Sequence, residues 1–169
     1  TGSLGLVLEP MASTLEAIAS AVPRDRIVML DPNARPSITR DPVAWRARMA
    51  RIMDRADIVK ASTEDLDYLC PGETTAAAAA WVKAHGPSVV LVTDGSRPVH
   101  VLVGDAIELV PAPPVMVVDT VGAGDTFGGA FLACLVHEGI GSGDLGDAAS
   151  VMRAVRFAVR ASAFVCGRA

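Results

Sequence analysis

Short runs of aliphatic residues alternate along this chain with longer stretches whose apolar positions have helical spacing. The pattern predicts strands at 4–8, 27–30, 58–61 and 89–93, and helices at 12–21, 43–54, 63–69, 74–85, 124–137 and 147–166. Two further runs, 99–103 and 107–110, are joined through Gly104 and Asp105, and such a pair favours the tight turn of a β-hairpin. Strands that alternate with helices indicate βα units and a mostly parallel sheet with one antiparallel hairpin.

Composition limits the classes of protein that fit this pattern. The chain has 169 residues, of which 51% are hydrophobic and 20% charged, with a formal net charge of -4. It can bury one core, and we expect a single α/β domain over 1–169. A net negative charge with scattered basic residues argues against a nucleic-acid partner. The densest basic group, Arg46, Arg48, Arg51 and Arg55, is predicted to be a solvated helix face.

The remaining compositional signals concern location. Cys70, Cys134 and Cys166 are odd in number and lack metal or redox spacing, so buried thiols in a reducing cytoplasm are expected. No apolar run reaches the roughly 18 residues that a membrane span needs. We therefore expect a soluble, cytoplasmic protein without a membrane partner.

The most informative segment is a glycine-rich turn between an expected buried strand at 115–118 and an apolar helix. Gly122, Ala123 and Gly124 fall where that helix begins, so their amide groups lack helical partners and attract anions. Asp125 then either balances the charge of the helix N-terminus or takes a proton from an attacking hydroxyl. The dinucleotide turn Gly-x-Gly-x-x-Gly and the loop Gly-x-x-x-x-Gly-Lys-Ser/Thr do not occur here.

The run from Asp119 to Phe127, Asp-Thr-Val-Gly-Ala-Gly-Asp-Thr-Phe, resembles the C-terminal signature of the ribokinase-like (PfkB) carbohydrate kinases. The resemblance implies a three-layer α/β/α sandwich and transfer of the γ-phosphoryl group of ATP to a sugar hydroxyl. It places the catalytic base at Asp125 and an anion hole at the amides of Gly122, Ala123 and Gly124. It also implies that Asp119 and the carbonyl of Val121 bind a monovalent cation, usually K⁺.

A second polar cluster, Asp-Pro-Asn-Ala-Arg-Pro at 31–36, directly follows a predicted strand. Asn33 and Arg35 offer donors that suit a phosphate or sugar oxygen, although such a sequence can also be a plain turn. The run is similar to a loop of fructokinase-like and 2-keto-3-deoxygluconate kinase-like members of the family. That similarity implies a position for Arg35 near the transferred phosphate and the acceptor.

Two more clusters end predicted strands. Ser62 followed by Asp65 predicts a helix N-cap. Many members of the family carry Asn and Glu at the positions of Ser62 and Asp65, in a motif associated with nucleotide phosphates and Mg²⁺. Glu64 competes with Asp65 as the carboxylate that contacts the water shell of that metal. The Thr93, Gly95 and Ser96 run resembles the nucleotide loop of the family, with Pro98 in place of its last glycine.

The resemblance covers almost the whole chain but corresponds to the C-terminal part of a kinase about twice as long. We therefore expect that the N-terminal half, with its sugar lid, is absent from this chain, which by itself would then be inactive. A homodimer is expected by analogy. Three alternatives stay open: a regulatory nucleotide-binding domain without turnover, a nucleoside kinase of the same family, and a dinucleotide-dependent oxidoreductase.

Overall fold

A five-stranded sheet in the order β1-β2-β3-β4-β5 forms the centre of this computed structural model, which describes residues 2–168. The first three strands are parallel, and the last two add an antiparallel hairpin. Gly104 supplies the positive φ of the hairpin turn, 55°. The strands are β1 (Met29–Leu30), β2 (Ile58–Ser62), β3 (Val89–Thr93), β4 (Val99–Val103) and β5 (Ala106–Val110). The predicted parallel sheet with a hairpin is confirmed.

Helices cover both faces of the sheet and divide the core in two. Alternate residues of each strand point to opposite faces, so Val59 and Val90 contact one set of helices while Ile58 and Val89 contact the other. The first face carries α1 (Met11–Ala21), α2 (Pro42–Met53), α3 (Thr63–Leu69) and α4 (Thr75–Ala84). The second carries α5 (Ala123–His137) and α6 (Ala148–Cys166). This is the expected three-layer α/β/α sandwich.

Helix starts follow local capping chemistry. The side chains of Asp41, Thr74 and Asp147 accept hydrogen bonds from amides in the first turns of α2, α4 and α6. Each such bond satisfies an amide that has no helical partner. Short polar residues before apolar helical stretches therefore fix these boundaries to within about one residue of the prediction.

The strand predicted at 4–8 is wrong. Ser3–Leu6 forms a turn of 3₁₀-helix, and the amides of Val7 and Leu8 both donate to the carbonyl of Leu4. This turn buries Leu6 completely and leaves Leu4 and Leu8 about half exposed. The local hydrogen bonds compete with sheet pairing, and one bridge from Gly2 to Asp31 extends the sheet here.

The buried strand predicted at 115–118 is also wrong, because this segment is exposed and belongs to no strand. Pro113 and Pro114 precede it and have no N–H groups to donate to a sheet. The amide of Val118 instead donates to the carbonyl of Cys166 at 2.8 Å, at the end of α6. This segment is therefore hydrogen-bonded to the end of α6 rather than to the sheet.

Strand β1 is shorter than the predicted 27–30. The amide of Val28 donates to the carboxylate of Asp57 at 2.7 Å, and the carbonyl of Val28 accepts from the amides of Asp57 and Ile58. Only Met29 and Leu30 pair in register with β2. A side-chain hydrogen bond thus replaces the first part of the ladder.

The arginines of α2 do not form a solvated face. Arg51 is exposed, Arg46 and Arg48 are half-buried, and Arg55 is buried just after the helix. The three cysteines are free thiols, and they are half-buried rather than buried as expected. Within residues 2–168 no helix is long and apolar enough to cross a membrane.

Arg55 holds the segment that leads into β1. Its guanidinium donates to the carbonyls of Val22, Pro23 and Arg26 at 2.8–3.0 Å and forms an ion pair with Asp57 at 3.0 Å. These bonds satisfy backbone groups of a connection that lies against the sheet. The conformation of the segment between α1 and β1 is therefore stabilised by one long side chain from the end of α2.

We predict that Arg55→Met lowers the free energy of unfolding by about 3 kcal/mol, because it removes the cation beside the partly buried Asp57 and one donor from each of three backbone carbonyls. Arg51→Met is the matched control, since Arg51 is exposed and within residues 2–168 pairs only with Glu16, and its loss should change stability by less than about 1 kcal/mol. Urea unfolding of both variants measures the difference. Equal losses would contradict the structural role given to Arg55.

Candidate functional site

The polar clusters of the sequence meet where the parallel strands end. Ser62 and Thr93 are paired in register at the ends of β2 and β3, and Asp31 directly follows β1. An open cleft of about 270 Å³ lies at this edge and reaches the first turns of α5. It is lined by Gly2, Met29, Asp31, Asn33, Gly124, Asp125, Gly128 and Leu132. Carboxyl ends of parallel strands are the usual ligand-binding edge of such sheets.

The N-terminus of α5 presents free amide groups. Gly122 is the N-cap in a left-handed conformation with φ of 77°, and no side chain caps the helix. The amide of Ala123 donates to Thr120 and that of Thr126 to Gly122, whereas those of Gly122, Gly124 and Asp125 have no acceptor within residues 2–168. Free amides at a helix N-terminus suit an anion, so the anion hole stays a prediction here, with the Ala123 amide already bonded to Thr120.

Asp125 projects from the first turn of α5 into the cleft. It is exposed, and in the described part of the chain its carboxylate takes part in no hydrogen bond or ion pair. It is not used to cap its own helix. The carboxylate is thus free to accept a proton from a group that enters the cleft.

Asp31 and Lys60 form a buried ion pair behind the cleft. The ammonium of Lys60 lies 2.7 Å from Oδ2 of Asp31, and the Lys60 side chain is only 6% exposed. Oδ1 of Asp31 is buried and has no hydrogen-bond partner. Burial raises the pKa of the Asp31 carboxyl, Lys60 lowers it, and the carboxylates of Asp65 and Asp125 raise it further. The Lys60 ammonium and the carboxylates of Asp65 and Asp125 therefore all act on the Asp31 carboxyl at this edge.

Asp65 connects two of the predicted clusters. Its Oδ2 accepts from the amide and hydroxyl of Ser62, and the Ser62 hydroxyl in turn accepts from the Asp65 amide, which completes the predicted cap of α3. Its Oδ1 accepts from the amide of Ala34 at 2.6 Å. Asp65 is 5% exposed and both of its oxygens are bonded, whereas Glu64 is exposed to solvent.

The loop that carries Arg35 bends back on itself. Asn33 has a positive φ of 41° and lines the cleft. The Arg35 guanidinium is exposed and donates to the carbonyl of Ala34 at 3.0 Å, so it lies on its own loop rather than in the cleft wall. Asn33 and Asp125 therefore line the same cleft, whereas Arg35 does not line it.

The loop after β3 lies at the same sheet edge, outside the cleft wall. Thr93 is half-buried at the strand end, and Gly95 adopts a positive φ of 53°. Ser96 is exposed, and an ion pair between Asp94 and Arg97 at 3.0 Å closes the turn. Hydroxyl and amide groups are thus available here to a ligand larger than the cleft.

Asp119 and Val121 lie together beside the end of α6. The Asp119 carboxylate accepts from the amide of Val121 at 2.9 Å, and the amide of Asp119 reaches the carbonyl of Cys166. Ser162 of α6 donates to the carbonyl of Ala123 at 2.9 Å. Within residues 2–168 no group of three or more His, Cys, Asp or Glu side chains could hold a metal ion.

Sequence reasoning assigned no role to Lys60 or to the Asp31 carboxylate. A signal was present, because Lys60 interrupts an otherwise apolar run, Ile-Val-Lys-Ala, in a buried strand. A charged residue in such a position is almost always paired. Its partner could not be identified from sequence, because Asp31 lies 29 residues away.

Comparison with known proteins gives a consistent result. The sequence profile described as pfkB family carbohydrate kinase matches residues 5–169. A fructokinase from Rhizobium leguminosarum bv. trifolii is 40% identical over 140 residues, which are 82% of this chain and 43% of that relative. The chain spans about half the length of the relatives it matches.

Two solved structures share the fold. A fructokinase double mutant from Vibrio cholerae, with fructose, ADP and a potassium ion bound, matches with a TM-score of 0.86 and 26% identity. The match covers 99% of this chain and 53% of that one. A fructokinase from Xylella fastidiosa with bound ATP matches with a TM-score of 0.86 and 27% identity, over 99% of this chain and 54% of that one.

Two glycines of α5 provide a test of the site geometry. An alanine Cβ at Gly124 would stand 3.0 Å from Nζ of Lys60, whereas one at Gly129 would meet nothing within 4 Å. We predict that Gly129→Ala raises the free energy of unfolding by about 0.5–1 kcal/mol, through helix propensity. Gly124→Ala should show no gain, because the methyl group displaces the ammonium from Asp31. Urea unfolding of both variants tests this, and equal gains would contradict the position of Lys60.

Proposed function

The chain belongs to the pfkB family of carbohydrate kinases, and we propose that the protein containing it transfers the γ-phosphoryl group of ATP to a sugar hydroxyl. One observation supports this most directly. The unpaired carboxylate of Asp125 stands in the first turn of α5, where the amides of Gly122, Gly124 and Asp125 have no acceptor in the described part of the chain. A base and an anion site are thus adjacent and face one cleft.

The proposed chemistry follows from that arrangement. Asp125 accepts the proton of the sugar hydroxyl while the oxygen of that hydroxyl forms a bond to the γ-phosphorus of ATP. The bond between the γ-phosphorus and the β–γ bridging oxygen breaks, and ADP is released. Amides at Gly122, Ala123 and Gly124 would stabilise the charge on the phosphoryl oxygens; that of Ala123 would first leave its bond to Thr120. Positioning and charge, rather than covalent catalysis, perform the work.

Arg35 would join the site only after a rotation. Its guanidinium now bonds to carbonyls of its own loop, and these contacts are exposed and weak. A phosphate in the cleft offers a stronger, charge-assisted partner. We propose that Arg35 turns toward the phosphoryl group when ATP binds, while Asn33 contacts the phosphate or the sugar from its present place in the wall.

The nucleotide is proposed to lie along the ends of β2 and β3. Ser62, Thr93, Gly95 and Ser96 offer hydroxyl and amide groups at this edge, and ATP is bound in the related Xylella fastidiosa structure. Mg²⁺ would bind mainly to phosphate oxygens and water, which needs no cluster of protein ligands. Exposed Glu64 suits a water-mediated contact better than Asp65, whose oxygens are both bonded.

A monovalent cation is proposed at Asp119 and Val121. One oxygen of Asp119 bonds to the Val121 amide, which leaves lone pairs on the carboxylate and on the Val121 carbonyl for a cation. The related Vibrio cholerae fructokinase structure contains potassium. Bound K⁺ would hold the turn before α5 and would supply positive charge near the anion site.

The acceptor is proposed to be a fructose-like sugar. Relatives named fructokinase are 31–40% identical to this chain, and the similarity of the loop at 31–36 agrees with that class. A 2-keto-3-deoxygluconate-like acceptor is the alternative from the same loop, and a nucleoside is a weaker one. The homodimer and the cytoplasmic location stay predictions.

We predict that Asp125→Asn lowers kcat for fructose phosphorylation roughly 1,000-fold, because it removes the base while it keeps the shape of the side chain. The affinity for ATP should change only a few-fold. Asp105→Asn in the hairpin turn is the control and should leave kcat unchanged. Fructose-dependent ADP release by the full-length protein, with ATP, Mg²⁺ and K⁺, is the measurement.

The same assay distinguishes the alternatives. Ribose, 2-keto-3-deoxygluconate and nucleosides replace fructose in parallel reactions, and turnover with one of them instead would correct the acceptor class. ATP binding without turnover on any acceptor would favour a regulatory nucleotide-binding domain. Strong binding of NAD in place of ATP would reject the kinase.

A further inference from the structure

Lys60 is a buried cation whose side chain approaches the start of α5 from inside the protein. The residue is 5% exposed and lies on β2 between β1 and β3. A Cβ at Gly124 would stand 3.0 Å from its Nζ and 3.9 Å from its Cε. The ammonium therefore fills the space beneath the glycine of the anion site, on the side away from solvent.

The ion pair of Lys60 with Asp31 is incomplete as a structural contact. An ammonium carries three donors, and in residues 2–168 one acceptor, Oδ2 of Asp31, is present for Lys60. Oδ1 of Asp31 is buried without a partner. Buried ion pairs stabilise a fold only when the remaining donors and acceptors are satisfied. Structural stability alone therefore gives a poor account of this pair.

The N-terminus of α5 is also an unfavourable place for a cation. The helix has 15 residues, and its dipole puts partial positive charge at the amides beside Gly124. An ammonium close to these amides is repelled by them. A bound anion reverses the sign of the local field and interacts favourably with the amides and with Lys60 together.

We propose that Lys60 is a positioning residue of the phosphoryl site, whose buried positive charge strengthens the binding of the transferred phosphoryl group at the amides of Gly122 to Gly124. The inference rests on the proposed kinase function and adds a residue to it. Lys60 does not touch the substrate, since Gly124 lies between them. The competing explanation is that Lys60 only neutralises Asp31.

A set of variants separates the two explanations. Lys60→Met keeps the length of the side chain and removes its charge, but it leaves the Asp31 carboxylate buried alone and will lower stability. Lys60→Met combined with Asp31→Asn removes both charges and restores a neutral interior, and Asp31→Asn alone is measured beside it because Asp31 itself lines the cleft. Lys83→Met is the control, because the other lysine of the chain donates to the carbonyls of Pro87 and Ser88, which line no part of the cleft.

Binding provides a readout that does not need turnover. Calorimetry with Mg²⁺ present gives the affinities for ADP and for the non-hydrolysable analogue AMP-PNP, whose terminal group would occupy the anion site. The ratio of the two affinities isolates the terminal phosphate. Thermal unfolding of the same samples reports stability, and kcat and KM with fructose complete the set.

If Lys60 acts on the phosphoryl group, the double variant regains most of the melting temperature but not the function. We expect its affinity for AMP-PNP relative to ADP to fall about 10-fold and its kcat roughly 100-fold, similar to the loss of one oxyanion donor, with KM for the sugar unchanged. Lys83→Met should lower stability without changing the affinity ratio.

Recovery of both the affinity ratio and kcat in the double variant would overturn the proposal, because Lys60 would then serve only Asp31. If the unmutated protein binds AMP-PNP more tightly than ADP but phosphorylates no sugar, the kinase function fails while the affinity ratio still decides the role of Lys60. If it binds neither nucleotide, both proposals are rejected.

Discussion

The contact between the edge of the parallel sheet and the first turn of α5 determines how this site is built. Lys60 on β2 bonds to Asp31 after β1, and its ammonium lies 3.0 Å from where a Cβ at Gly124 of α5 would stand, so one side chain lies among three elements. Glycine suits this position, since a Cβ here would stand 3.0 Å from the Lys60 ammonium, which would have to shift. Asp125 follows directly, and its position over the cleft is therefore set by the same packing.

Other hydrogen bonds hold the surrounding loops to this centre. Asp65 joins the cap of α3 to the amide of Ala34, and Ser162 of α6 bonds to the carbonyl of Ala123. These polar side chains are occupied by structural bonds, whereas Asp125 has none in the described part of the chain. That contrast separates residues that shape the site from the residue available for chemistry, and both kinds occur within the same short motifs.

Local chemistry in the sequence accounts for most of the fold. Capping residues such as Asp41 and Asp147, and the Gly104-Asp105 turn, act within a few residues, so they could be predicted. The strand predictions at 4–8 and 115–118 were wrong because a run of apolar residues does not show where its backbone hydrogen bonds go. In the structure, hydrogen bonds to a local carbonyl in the first case and to α6 in the second replaced the sheet ladder.

The parts of the site whose residues are adjacent in sequence could be predicted. The pairs whose residues lie far apart in sequence could not. Gly122 to Asp125 form one motif, and their position at a helix start follows from that motif. The pairing of Lys60 with Asp31, like that of Arg55 with carbonyls before β1, joins residues about 30 positions apart. Such pairs depend on which strands lie side by side in the sheet, and the hydrophobic pattern of the sequence does not predict that order.

The charges of the protein groups at this edge are poorly balanced. Burial and the carboxylates of Asp65 and Asp125 raise the pKa of Asp31, and the Lys60 ammonium lies near the positive end of the α5 dipole. A phosphate at the free amides would relieve the unfavourable position of Lys60. Since a ligand that binds only the folded state stabilises it, nucleotide binding and the local stability of this edge should be coupled. The same charges would then make this edge selective for a phosphoryl group.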